Sequence, residues 1–204
     1  MYPGERFNGY SHLIGLILAG VGAAWLLSKI YPWDDLQQTG AAVIFATSVL
    51  LLYAASTLFH STHGRAKAFW QRADHGAIYL LIAGTFTPFA LSATSDRWSY
   101  AALITMWTLA AIGLRRELRA SEAAAAPVWP YIAMGWLGVL AALRTALGLE
   151  AGAGALLLCG AALYTAGTVF YRNRQGFRHA HGTWHLFVLS GTATHYIAIG
   201  IFVL

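Results

Sequence analysis

Seven apolar runs, each close to the roughly 20 residues that a helix needs to cross a bilayer, follow one another along this sequence. They are His12–Tyr31, Ala41–His60, Ala77–Thr94, Trp98–Leu114, Val128–Leu147, Ala151–Tyr171 and Trp184–Leu204. The chain is 58% hydrophobic and only 10% charged, too little charge to cover a soluble domain of this size. The links between runs are short and polar, such as PWDDLQQTG, STHGRAKAFWQRADHG and RNRQGFRHAHGT. None is long enough for a second domain, and short links make consecutive helices antiparallel neighbours. The expectation is an all-α integral membrane protein, residues 1–204 forming a single seven-helix transmembrane bundle.

The charges set an orientation. Arg6 precedes the first run; Arg65, Lys67 and Arg72 follow the second; Arg115, Arg116 and Arg119 follow the fourth; Arg172, Arg174 and Arg178 follow the sixth. Only Lys29, Arg97 and Arg144 fall on the other side, so ten of the thirteen basic residues share one face. Basic loops stay cytoplasmic, which puts the N-terminus in the cytoplasm and the C-terminus outside. A net charge of +5 spread between apolar runs is no nucleic-acid footprint, and none is expected as a partner. The opening MYPGERFNGYSH lacks a basic region followed by a small-residue cleavage site, so no cleavable signal peptide is expected. The single cysteine, Cys159, excludes an internal disulfide and reads as a small buried helix residue.

Ionisable groups at membrane depth are costly and mark function. Three stretches hold them: Glu5 to His12 leading into the first helix, Ser56 to His60 followed by Asp74, and His181 to His185 opening the last helix. The topology places all three at the cytoplasmic end. His181 and His185, four apart, differ on a helix by about 40° in direction and about 6 Å in height, so both imidazoles can serve one ion. His60 supplies a third nitrogen, leaving a fourth position for water, the pattern of a catalytic zinc. Asp74 is the candidate general base, and Ser56, one turn before His60, could orient the water, Asp74 or an oxyanion.

Other residues carry weaker assignments. His195 lies about 15 Å along the last helix from His185, too far to share the ion. It and His12 are read as structural or as supporting the site from behind its ligands. Glu5 and Asn8 either cap the first helix or pair with a basic loop. His63, His75 and His179 read as loop or interface residues, His179 being the nearest rival ligand. Pro88 is expected to kink the third helix, with Thr85 and Thr87 satisfying freed backbone groups.

In order along the chain stand E-x2-N-x3-H (Glu5, Asn8, His12), S-x3-H (Ser56, His60), D-H-x-A-I-Y with L-I-A-G-T-F-T-P-F after it (Asp74 to Phe89), and H-x3-H followed by L-F-V-L. This set resembles the haemolysin III family, the bacterial branch of the progestin and adipoQ receptor proteins, in a superfamily that also includes the alkaline ceramidases. The resemblance spans essentially the whole chain. It implies a multi-pass protein of the bacterial inner membrane with one zinc per chain on His60, His181 and His185, and Asp74 and Ser56 close by. The expected function is zinc-dependent hydrolysis of a lipid amide or ester, with a membrane lipid or fatty-acid-containing substrate. The alternatives are a zinc-stabilised sensor of membrane state and a transporter or channel.

Overall fold

The computed structural model describes residues 1, 4–92, 96–120 and 127–204. Its described residues are helical almost throughout, in seven elements: α1 (Arg6–Lys29), α2 (Leu36–Ser61), α3 (Gly64–Ala90), α4 (Arg97–Arg119), α5 (Trp129–Leu149), α6 (Ala151–Arg172) and α7 (Ala180–Phe202). Five of them, α1, α2, α5, α6 and α7, are long and apolar enough to cross a membrane. The apolar outer face matches that role. On α1 alone Ile14, Ile17, Leu18 and Val21 are each more than half exposed, a pattern water would punish and lipid rewards.

Helices α3 and α4 fall short of that apolarity for different reasons. Helix α3 is buried along nearly all of Asp74 to Ala90, packed by α2, α4 and α5, so its polar residues meet protein instead of lipid. Helix α4 is diluted at its ends, by Arg97 at the start and Arg115, Arg116, Glu117 and Arg119 at the finish. Asp96 starts α4 with a capping box shared with Ser99, and Asp35 caps α2 by accepting from the amides of Gln37 and Gln38.

Several helix ends differ from the sequence expectation. Helix α1 begins at Arg6, not His12, which brings Asn8, Ser11 and His12 onto one helical face. The polar stretch read as a link after α2 is mostly helix: α3 starts at Gly64 and carries Arg65, Lys67 and Arg72, with Asp74 nearly three turns inside it. The hydropathy signal ends where charge begins, but the backbone ladder continues until a breaker interrupts it. Pro88 lies within α3, where Thr87 Oγ1 donates to the Ala83 carbonyl at 2.8 Å. Cys159 is exposed on the outside of α6, not buried. The expected end of the third run at Thr94 and the core of the link between α4 and α5, residues 121–126, lie outside the described residues.

Packing then assembles the site. Helix α1 lies against α2 and α7, and α2 against α3, so one end of the bundle gathers the starts of α1, α3 and α7 with the end of α2. Gly182 permits the closest approach there: a Cβ on it would collide with the Phe7 ring of α1. The turn into α7 is held by Asn173, whose left-handed backbone suits its residue type and whose Oδ1 accepts from the Phe177 amide at 2.7 Å.

Candidate metal centre

His60 on α2 and His181 and His185 on α7 bring three ligand nitrogens within 4.8 Å of one another. The Nε2 atoms of all three are buried and have no hydrogen-bond partner among the described residues. A bare buried imidazole nitrogen is costly unless something fills it. Three converging on one point fit a metal ion, which takes up all three lone pairs at once.

The opposite edges of two of these rings are fixed. His60 Nδ1 lies 2.7 Å from Glu5 Oε2; a carboxylate only accepts, so Nδ1 carries the proton and Nε2 the lone pair. His185 Nδ1 lies 2.9 Å from Ser11 Oγ and 3.0 Å from the Asn8 carbonyl. Ser11 already donates to that carbonyl, so again Nδ1 is the donor and Nε2 is bare. Carboxylate or carbonyl behind, bare nitrogen in front, is how proteins orient metal-binding histidines.

Glu5 ties this shell together. It receives Asn8 Nδ2 at 2.9 Å and Lys67 Nζ at 2.8 Å as well as His60. Burial pushes the Glu5 carboxyl up, but the hydrogen bonds from Lys67, Asn8 and His60 outweigh it and hold it at about 2. Glu5 stands at the N-cap of α1 without a side-chain capping bond, because its oxygens are committed across the bundle. Replacing Glu5 by Gln keeps the shape and removes the charge behind His60. Metal affinity is expected to fall by about ten- to a hundredfold, measured by competition with a calibrated chelator.

Asp74 and Ser56 are linked to the histidines through His12. Ser56 Oγ hydrogen-bonds Asp74, and His12 Nδ1 lies 2.6 Å from the same hydroxyl. With the Ser56 proton given to the carboxylate, His12 Nδ1–H must donate to Ser56. The His12 ring stacks on His185 with centroids 3.6 Å apart and planes 11° from parallel. Its own Nε2 is a fourth buried nitrogen with no partner among the described residues, and it does not belong to the three-histidine set.

The remaining histidines stay apart. His63 stands at the N-cap position of α3 without a side-chain capping bond, and His179 takes a left-handed backbone before α7 with its ring edge-on to Phe7. His75 is no loop residue; it is buried on α3 and faces Glu117 of α4 at 3.8 Å. His195 is not behind the metal ligands; its Nε2 meets the Leu157 carbonyl of α6 at 3.2 Å. The sequence reading missed Ser11 and Lys67. Ser11 follows Asn8 by three and shares its face, a signal that appears only once α1 is extended back to Arg6.

From Asp74 and His12 an internal cavity opens among α3, α5, α6 and α7. Its wall is almost wholly apolar, with Trp136, Val139, Leu157 and Val188 typical of it, and it reaches as deep as Tyr164 and His195.

Known proteins share this arrangement of sequence. The family described as haemolysin-III related matches residues 2–196. A hemolysin-3 homolog of Bacillus subtilis (strain 168) is 34% identical over 96% of this chain and 92% of its own length. Hemolysin-3 of Bacillus cereus is 35% identical over 98% of this chain and 92% of its own. The human monocyte to macrophage differentiation factor is 28% identical over 94% of this chain and 81% of its own. A match that runs nearly the full length of the chain, with a multi-pass helical fold and a three-histidine cluster, leaves one assignment: the chain belongs to the haemolysin-III-related family.

Proposed function

We propose that this protein is a zinc-dependent hydrolase of a lipid amide or ester, embedded in the bacterial inner membrane with all seven helices spanning it and its N-terminus in the cytoplasm. The observation that carries the reading is a pair of features at one end of the bundle: three bare Nε2 atoms that fit a metal, and an apolar cavity lined by Asp74 and by His12, whose ring stacks on His185. A structural zinc needs the first feature and has no use for the second. Zinc is favoured by its preference for imidazole nitrogens and by an incomplete ligand set that leaves a position open.

Zinc bound there would supply a Lewis acid for the substrate carbonyl and a water acidified to near neutrality. The chain's own residues do the rest. The apolar cavity takes the acyl chain and excludes bulk water, and its mouth sets the scissile carbonyl beside Asp74. Asp74 holds and returns the proton, Ser56 fixes the carboxylate, and His12 fixes Ser56. His12 Nε2, bare and in the cavity wall, accepts a hydrogen bond from the amide N–H or hydroxyl of the bound lipid.

The test uses purified protein in vesicles doped with N-acyl and O-acyl lipids, followed by release of free fatty acid. Release is expected, is lost on chelation, and returns with added zinc but not magnesium. Metal-independent release, or none from either class by zinc-loaded protein, contradicts the reading.

A further inference from the structure

The deep end of the cavity is not apolar. His195 is 5% exposed and lines the wall about 15 Å along α7 from His185, ten residues away at the helical rise. Its Nε2 faces the Leu157 carbonyl at 3.2 Å, which can only accept, so in the neutral ring Nε2 holds the proton and Nδ1 is an acceptor. That Nδ1 is buried with no partner among the described residues. Gly160 on α6 makes the room: a Cβ there would collide with the His195 ring.

The hydroxyls of Thr192, Tyr53 and Tyr164 are committed to one another and to the backbone. Thr192 Oγ1 gives its proton to the Val188 carbonyl at 2.9 Å. Tyr53 and Tyr164, each 2.8 Å from that oxygen, must therefore both donate into it. On α6, Thr165 donates to the Ala161 carbonyl and Thr168 to the Thr165 carbonyl. His195 and Tyr164 both line the cavity, their rings 5.6 Å apart, and the acceptor left unfilled between them is His195 Nδ1.

We infer that the deep cavity is a recognition site for a hydroxyl carried well along a long acyl chain, so that the protein prefers hydroxylated over plain chain lipids. An unfilled acceptor buried among apolar side chains needs a donor, and it penalises a ligand that brings none. A hydroxyl supplies the donor with the least added polar surface, whereas an amide would bury a carbonyl as well. The inference rests on the reading of the cavity as a chain-lipid site, but not on turnover.

The experiment measures displacement of a fluorescent fatty acid from detergent-purified protein by oleate and by ricinoleate, its counterpart hydroxylated about two-thirds of the way along the chain. Ricinoleate is expected to bind about three- to tenfold tighter, the worth of one net hydrogen bond. His195→Gln preserves a donor for the Leu157 carbonyl but lacks an atom at Nδ1, and should bring the ratio of the two affinities to near unity. Equal binding of the two acids by the wild-type protein overturns the inference whatever the variant does. A preference that survives in His195→Gln overturns the assignment to His195. Failure of oleate itself to bind removes the chain-lipid reading of the cavity and this inference with it, whereas oleate binding without preference removes this inference alone.

Discussion

Asp74→Asn is expected to cut fatty-acid release by about a hundred- to ten-thousandfold while leaving the metal in place. Asn has the volume of Asp and can still accept from Ser56, so packing around this 4%-exposed position survives. What disappears is the ability to take up a proton. Asp74 is not among the three converging nitrogens, so metal content should not change. Parallel assays of released fatty acid and bound zinc separate the possibilities. Unchanged turnover would remove Asp74 from the proton path, and lost zinc would make it a ligand. If no turnover occurs in either protein, a zinc that merely clips α2 to α7 becomes the better account.

The second large effect concerns His60→Ala. The substitution removes one nitrogen of the three and leaves the Glu5 carboxylate facing a hole, with Asn8 and Lys67 still paired to it. Losing a neutral donor to a carboxylate costs about 1.5–3 kcal/mol, here toward the lower end because Glu5 is about one-fifth exposed. The wild-type protein should melt lower after chelation. His60→Ala should melt lower still and be indifferent to the chelator, because it has no ion left to lose. A variant that still responds to the chelator as the wild type does would place the ion elsewhere.

Much of this was legible from the residues, for identifiable reasons. Seven elements follow from seven apolar runs, because a chain this poor in charge has few other ways to satisfy its backbone. His60, His181 and His185 are recognisable together because alternating direction forces the end of α2 and the start of α7 to one level. Helix ends were not legible. Arg6 to Ser11 is polar, and Gly64 to Ala73 is rich in charge, yet both are helical, and Lys67 of the second stretch reaches Glu5 just ahead of the first. Nor could the sequence tell that Ser11 faces His185, a contact 174 residues apart that depends on how α1 is rotated. His195 stands out as an ionisable group at membrane depth, but its partner, the Leu157 carbonyl, has no side-chain signature at all.

The inward-facing polar chemistry also explains why α3 departs from the composition of a lipid-facing span. Its Asp74 and His75 are enclosed by neighbouring helices, so the helix tolerates groups that an outer helix such as α1 could not.

The central claim is that the three Nε2 atoms of His60, His181 and His185 hold a zinc ion, and metal content per chain tests it most directly. Protein extracted in mild detergent without chelators, confirmed folded by a cooperative melt, is analysed by plasma mass spectrometry beside His181→Ala/His185→Ala. The account predicts about one zinc per wild-type chain and essentially none in the double variant. Folded wild-type protein that carries no zinc and takes up none when it is supplied would contradict the account.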